Sequence, residues 1–180
     1  MKKAIGIGAF PADWPLERSF TLAREAGFDG IELGYALSGP LTLDTGSAQV
    51  RRIRAALEGC GLEVASLASG VLLEHNLLSP DGHVRAVAHE HVRAMLRLAS
   101  ELGTDAILLI PGYVGPIFGV GSPAVADYEA AFALGQAEIR KMAGYAEQAG
   151  VHIAIENVWN KFLTSPLVMR DFVDGIGSPY

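Results

Sequence analysis

One pattern recurs four times along the 180-residue chain: a glycine after a helical stretch, followed within one or two residues by a short apolar run. The four copies are Ala26-Gly27-Phe28-Asp29-Gly30-Ile31-Glu32-Leu33, Cys60-Gly61-Leu62-Glu63-Val64-Ala65-Ser66-Leu67, Leu102-Gly103-Thr104-Asp105-Ala106-Ile107-Leu108-Leu109 and Ala149-Gly150-Val151-His152-Ile153-Ala154-Ile155-Glu156. A glycine at this point is typical of a helix end, and the apolar run is typical of a buried strand. Each copy therefore predicts a helix that leads into a strand.

Helix starts are marked by three serine-proline pairs, Ser79-Pro80, Ser122-Pro123 and Ser165-Pro166. Serine caps the free amides of a first turn, and proline suits the first helical position. With the apolar periodicity, these signals predict strands at 4–9, 30–35, 62–69, 106–111 and 151–156. The predicted helices between and after them are 16–26, 47–59, 84–102, 127–149 and 166–176.

Strict alternation of strand and helix predicts an α/β fold with a parallel sheet. Two architectures fit. A doubly wound five-stranded sheet would be complete at this length. A (β/α)8 barrel needs about 250 residues, so the chain would hold its first five βα units. Length favours the first; a fifth copy of the pattern, beginning at Ile176-Gly177 and stopping at Tyr180, favours the second.

Composition narrows the class of protein. With 50% hydrophobic and 19% charged residues, the chain can bury a core, and we expect one domain over 1–180. A net charge of -6 disfavours a nucleic-acid partner. Cys60 is the only cysteine, and the first residues lack the apolar stretch of a signal peptide, so a cytoplasmic protein is expected. No run approaches the ~20 apolar residues of a membrane span.

Several familiar motifs are absent or out of place. The sequence has no phosphate loop and no His-Glu-x-x-His helix. The run 119–124 matches the dinucleotide fingerprint in letters, but it does not directly follow a strand, and we interpret it as a chance match. His89 and His91 point to opposite sides of a helix, which predicts a solvated His89 and a half-buried His91. For His75, a loop surface is favoured over a ligand role.

Two acidic residues lie in or after apolar strands. Acids enter such strands mainly when they are paired or coordinated. For Glu32, an internal hydrogen bond and a role in the site are both open. Glu156 stands at the carboxyl end of its strand, where parallel sheets carry their sites, and Asn157, Asn160 and Lys161 after it offer donors suited to a polyol. We therefore predict a functional role for Glu156.

Several of these segments are similar to those of a known family. Four segments resemble the xylose isomerase-like TIM barrels, which include sugar and sugar phosphate isomerases and epimerases as well as endonuclease IV enzymes. The segments are Ala26-Gly27-Phe28-Asp29-Gly30-Ile31-Glu32-Leu33, Leu78-Ser79-Pro80-Asp81, Ile110-Pro111-Gly112 and Ile155-Glu156-Asn157-Val158-Trp159-Asn160-Lys161. The resemblance implies a (β/α)8 barrel of which the chain forms the first five βα units.

The resemblance also implies chemistry. Such barrels hold a divalent metal through Glu, Asp, His and Glu from the ends of strands five to eight, and Glu156 matches the first ligand. The other three are expected beyond Tyr180, with Mn²⁺, Mg²⁺, Co²⁺ or Zn²⁺ as the ion. Glu156 would then be both a metal ligand and a catalytic acid or base, moving a proton between adjacent carbons of a sugar or sugar phosphate. The implied substrate-binding residues are Glu32, Trp14, Asn157, Asn160 and Lys161.

Two departures refine this expectation. Endonuclease IV enzymes place histidines where this sequence has Ile110 and Gly70, so a sugar enzyme is preferred to a nuclease. The better known ketose 3-epimerases carry a second glutamate where this chain has Phe162, which disfavours free-sugar 3-epimerase activity. For Phe162, Phe10, Trp14 and Trp159, two interpretations stay open: the apolar side of a sugar pocket, or ordinary core and loop packing. With one ligand of four, the chain alone is expected to bind metal weakly and to associate through open sheet edges.

Overall fold

The computed structural model describes residues 1–116 and 125–180, and in these it contains five strands and six α-helices. The strands are β1 (Ala4–Gly6), β2 (Gly30–Tyr35), β3 (Glu63–Ser69), β4 (Ala106–Leu109) and β5 (His152–Ile155). The helices are α1 (Leu16–Glu25), α2 (Ser47–Gly59), α3 (Val71–Glu74), α4 (Gly82–Leu102), α5 (Tyr128–Ala149) and α6 (Pro166–Ile176). A 3₁₀ turn, Ile7–Ala9, follows β1.

The order of the strands decides between the two predicted architectures. All five strands are parallel and lie in the order β1-β2-β3-β4-β5. A doubly wound sheet reverses its direction of growth and would give the order 2-1-3-4-5. The prediction of consecutive βα units of a barrel is therefore confirmed, and the doubly wound alternative is wrong.

Burial alternates along each strand because one face of the sheet is covered by helices. The fully buried Ile31, Leu33, Leu67, Ile107 and Leu109 point to the helix layer. Their neighbours on the other face, hereafter the open face, are more exposed and include Glu32, Ser66, Ala106, His152 and Ala154. A sheet with helices on one face only is the arrangement of a barrel wall.

Element ends follow the predicted signals in part. Gly103 and Gly150 have φ angles of 84° and 65° and end α4 and α5 as predicted. Ser165 caps α6 by accepting a hydrogen bond from the Val168 amide at 3.2 Å. The predicted start at Ser79-Pro80 is wrong, because Asp81 caps α4 through the His83 amide at 2.8 Å.

Other element boundaries differ in part from those predicted. Ser122-Pro123 and the run 119–124 lie outside the described residues, and α5 begins after its cap, Asp127. The predicted strand 4–9 is wrong in its second half, which forms the 3₁₀ turn, and the short helix α3 was not predicted. Within the described chain, we find no helix with the length and apolarity to cross a membrane.

Candidate functional site

Glu156 directly follows β5 at the carboxyl edge of the sheet. Its backbone amide donates to the Leu109 carbonyl at 2.9 Å, so the ladder between β4 and β5 extends up to this residue. Strand alternation assigns Glu156 to the open face, with His152 and Ala154. The residue is exposed, and its carboxylate makes no hydrogen bond or ion pair with any part of the chain that the structure describes. An acid in this position is available to a ligand.

Glu32 lies on the open face in the middle of β2 and is half-buried. Its Oε2 accepts a hydrogen bond of 2.6 Å from the Ser66 hydroxyl on β3. Ser66 reaches this position because the pairing of β2 with β3 shifts by one residue: Ile31 pairs with Val64 and Glu32 with Ser66. The internal hydrogen bond, one of the two readings that the sequence left open, is thus present. It uses one carboxylate oxygen.

The loop after β5 separates the three polar residues that the sequence grouped together. Asn157 and Lys161 are exposed, whereas Asn160 is fully buried. The Asn160 amide nitrogen donates to the Gly112 carbonyl at 2.7 Å, and its backbone carbonyl accepts from the Val114 amide at 3.3 Å. Asn160, predicted as a substrate contact, therefore joins the loops after β4 and β5, and its fully buried side chain presents no surface to a sugar.

A second asparagine, Asn76, was missed by the sequence analysis. It lies after α3 at the carboxyl end of β3 and is 9% exposed. Its side-chain amide forms hydrogen bonds with both the N–H and the carbonyl of Tyr113, at 3.2 and 3.0 Å. The signal in the sequence is Gly112 directly after the predicted strand 106–111, because a glycine there indicates that another group closely approaches the backbone. The partner could not be identified from it.

The aromatic residues singled out by the sequence differ in their surroundings. Trp14 lies just before α1, and Arg18 lies on the first turn of that helix. The Arg18 guanidinium carbon is 3.5 Å from the centre of the Trp14 ring. Phe162 is fully buried and packs against Tyr128 and Phe172, so of the two interpretations left open by the sequence, core packing is the one present. Trp159, in contrast, is 69% exposed in the loop after β5.

Three histidines are used inside the fold. His91 is buried, its Nδ1 is hydrogen bonded to the Tyr35 hydroxyl at 2.7 Å, and the His75 ring stacks on it with centroids 5.0 Å apart. Burial raises the pKa of Tyr35 to about 12. Burial, reinforced by His75, lowers the pKa of His91. The half-buried interpretation of His91 thus understated its burial.

His89 is also less exposed than predicted. Its Nε2 donates to Glu138 Oε2 at 2.6 Å, and the exposed fraction of its side chain is 15%. The prediction of a solvated His89 is therefore wrong. The sequence near His89 does not reveal this contact, because Glu138 belongs to the neighbouring helix α5.

A divalent metal fits this site only in part. Glu156 offers exposed carboxylate oxygens, which hard divalent cations prefer. Residues 1–116 and 125–180, however, hold no group of three or more His, Cys, Asp or Glu side chains placed to bind an ion. The described residues thus supply no complete coordination shell.

Comparison with known proteins places this geometry in a family. A family profile described as "Xylose isomerase-like TIM barrel" matches residues 20–180. The chain belongs to the xylose isomerase-like TIM barrel family. The prediction made from the four sequence segments is confirmed, and the five parallel βα units are those of a family barrel.

Relatives of known activity include epimerases. A 2-epi-5-epi-valiolone 7-phosphate 2-epimerase from Actinoplanes sp. is 28% identical over 158 residues, which are 88% of this chain and 52% of that protein. An L-ribulose 3-epimerase is 25% identical with a TM-score of 0.78, over 99% of this chain and 58% of that one.

Two further solved structures share the fold. A D-psicose 3-epimerase crystallised in the presence of D-fructose has a TM-score of 0.82 at 20% identity, over 99% of this chain and 61% of that one. A family member from Mycobacterium smegmatis in complex with magnesium has a TM-score of 0.72 at 15% identity, over 99% and 62%. The chain thus spans between about half and three fifths of the length of these proteins.

Proposed function

We propose that this chain is the amino-terminal part of a metal-dependent isomerase or epimerase that acts on a sugar or sugar phosphate. The observation that carries the proposal is the exposed carboxylate of Glu156 at the carboxyl end of β5, without a partner in the described residues. In (β/α)8 barrels this edge of the sheet carries the active site. The similarity to a 2-epi-5-epi-valiolone 7-phosphate 2-epimerase and to an L-ribulose 3-epimerase supports the same class of reaction.

Glu156 has two roles in the proposal. Its carboxylate is one half of an acid/base pair and accepts a proton from the carbon beside a carbonyl group. Return of that proton to the neighbouring carbon moves the carbonyl, whereas inversion of the centre requires a second acid, outside the described residues, that delivers a proton to the opposite face of the same carbon. It is also the single ligand that we propose among the described residues, and a bound divalent cation would polarise the carbonyl and so acidify that carbon. The magnesium-bound family structure supports a divalent ion of this kind.

The other residues bind and orient. Asn157 and Lys161 stay exposed in the loop after Glu156 and are proposed to contact sugar hydroxyls or a phosphate. Glu32 keeps one carboxylate oxygen outside its bond with Ser66, and we propose that this oxygen accepts from a hydroxyl deeper on the open face. Trp14 remains a proposed substrate contact through the part of its ring that Arg18 does not cover. A nuclease is not proposed, because Ile110 and Gly70 provide no imidazole.

The metal part of the proposal can be tested on this chain with Mn²⁺ as a paramagnetic probe. The amide NMR signals that follow β5 are expected to broaden at low Mn²⁺ concentration, and Glu156→Gln should abolish that broadening. Glu147→Gln removes an exposed acid of α5 and is the matched control. Broadening that persists in Glu156→Gln would contradict the proposed ligand.

Affinity and turnover supply a second arm. Because Glu156 is the single proposed ligand among the described residues, the chain should bind Mn²⁺ weakly, much as an exposed carboxylate does. The chain alone should also fail to exchange a proton of a ketose phosphate for deuterium in D₂O. Tight stoichiometric binding with proton exchange by these 180 residues would contradict the expectation that further ligands are needed.

A further inference from the structure

We infer that Asn76 is a positioning residue of the Glu156 site, acting with Asn160 through the peptide between Gly112 and Tyr113. Its role as a positioning residue rests on the proposed function, since Glu156 must belong to a site for its position to matter. The structural part of the inference rests on the loops that follow β3, β4 and β5, which two buried asparagines join into one connected rim.

Asn76 holds the loop after β4 at two points. Its Nδ2 donates to the Tyr113 carbonyl, and its Oδ1 accepts from the Tyr113 amide, so the side chain pairs with one residue as a neighbouring strand would. The same Oδ1 accepts from the Leu78 amide at 3.0 Å, which fixes the amide plane. Three hydrogen bonds in a buried setting allow the side chain one orientation.

Gly112 is the counterpart that this contact requires. Its φ is 126°, a region that L side chains rarely adopt, and a Cβ at this position would lie 1.9 Å from Asn76 Oδ1. The asparagine amide therefore occupies the space that any side chain at 112 would need. Close approach of an amide to a backbone without a Cβ is the recurrent reason for glycine in such loops.

Asn160 holds the same peptide from the other side. Its Nδ2 donates to the Gly112 carbonyl, and its own carbonyl accepts from the Val114 amide. Glu156 begins the segment that Asn160 ends, and the Glu156 amide is bound to the Leu109 carbonyl. Hydrogen bonds thus join both ends of segment 156–160 to segment 109–114. Asn76 in turn is hydrogen bonded to Tyr113 of that second segment.

The segment beyond Asn160 adds backbone strain to this arrangement. Lys161 and Leu163 have φ angles of 57° and 54°, and neither is glycine. Left-handed residues of this kind persist where surrounding contacts over-determine them. Here the contacts are the burial of Phe162 and the hydrogen bond from the Leu163 amide to the Tyr128 hydroxyl at 3.0 Å. Loss of the Asn76 contact should therefore release the loop that carries Glu156 and Lys161.

Amide hydrogen exchange of the whole 180-residue chain tests this directly. In Asn76→Ala, protection at 112–114 and 156–163 should fall about tenfold or more below any general loss, because buried hydrogen bonds are left unmade. The matched control is Thr104→Val, which removes a buried hydrogen bond from Thr104 Oγ1 to the Ala65 carbonyl at 3.1 Å near the amino-terminal edge of β4. The control should change stability while the exchange of 156–163 follows only the global change.

A second variant covers the case in which Asn76→Ala does not fold. Asn76→Asp keeps the shape and both accepting contacts but places a carboxylate oxygen against the Tyr113 carbonyl. Protection at 156–163 should be lost near neutral pH and recover as the pH falls and the introduced carboxyl is protonated, because it can then donate to that carbonyl. Wild type should show no such recovery.

Two results would overturn the inference: exchange at 156–163 that changes equally in Asn76→Ala and Thr104→Val, or an Asn76→Asp variant without recovery at low pH. The Mn²⁺ experiment separates this failure from that of the proposed function. If Mn²⁺ broadens the signals after β5 in wild type and equally in Asn76→Ala, the site exists and Asn76 does not position it. If Mn²⁺ leaves wild type unchanged while Asn76→Ala loosens 156–163, the rim is coupled but the proposed metal site fails.

Discussion

Two glutamates of this chain lie in opposite settings. Glu138, on α5, is 5% exposed and faces three cationic or potentially cationic groups: His89 Nε2 at 2.6 Å, Lys141 Nζ at 2.8 Å and Arg85 Nε at 3.5 Å. Glu156, at the end of β5, is exposed and has no such partner in the described residues. One carboxylate is saturated by the protein and the other is not.

The difference separates a structural acid from an available one. Burial raises the pKa of Glu138, but hydrogen bonds from Lys141 and His89 oppose burial and win, so the pKa is lowered overall. A group held in this way joins α4 to α5 and has little capacity left for a ligand. Glu156 has no such contacts in the described residues, and we expect it to contribute little to the fold. The four predictions below follow this contrast.

The largest effect is expected for Glu138→Ala, which leaves Arg85 and His89 without their shared acid between two helices. Because the Arg85 and His89 side chains are both partly exposed, we expect a loss of about 2 to 4 kcal/mol in the free energy of unfolding, measured by urea denaturation. Glu147→Ala, an exposed acid on the same helix, is the control and should change it by less than about 0.5 kcal/mol. Equal effects of the two substitutions would break the comparison.

A smaller effect is expected when the pH is lowered and the free energy of unfolding is compared between Glu138→Gln and wild type. Since the pKa of Glu138 lies below its ordinary value of 4.5 in the folded chain, its contribution is present above that value and is lost as the pH falls through the folded pKa. Stability measured against pH should therefore decline less steeply in this range in Glu138→Gln than in wild type. Parallel curves would show that the ionised carboxylate does not stabilise the helix pair.

Lys141→Ala should have a weaker effect than either. The lysine side chain is 62% exposed, so solvent screens its contact with Glu138, and we expect a loss of about 0.5 kcal/mol. The urea midpoint of this variant, measured beside that of Glu138→Ala, tests whether His89 and Arg85 carry most of the interaction. A loss as large as that of Glu138→Ala would assign the main role to Lys141.

The smallest effect is expected for Glu156→Gln. With no partner to lose in the described residues, its unfolding free energy should stay within about 0.5 kcal/mol of the wild-type value. Thermal and urea unfolding of the variant provide the measurement. A substantial loss of stability would mean that Glu156 is a structural acid like Glu138, and its assignment to a ligand site would fall.

Local signals in the sequence predicted the order of elements well. Gly103 and Gly150 marked helix ends because a left-handed residue at that point is needed within the local backbone itself. Ser165 marked a helix start for the same local reason. The error at Ser79-Pro80 arose because Asp81, two residues later, offers an equally good cap, and local chemistry does not rank the two.

The site was predicted less completely, since its contacts join distant segments. Glu156 could be singled out because an acid after an apolar strand is unusual on its own. Asn160 could not be told from Asn157: the two are three residues apart, and only the position of Gly112 determines which one is buried. Asn76 gave no signal, because its partner, Tyr113, is 37 residues away.

Tyr35 gives the fold an optical property. It ends β2, is 2% exposed, donates to or accepts from His91, and has its pKa raised to about 12. A phenol in ordinary surroundings ionises near pH 10. In an alkaline titration, the Tyr35 phenolate should therefore be absent at that pH, and its absorbance should appear only when the sheet separates from α4. Ultraviolet absorbance can thus follow the opening of the second strand without any label.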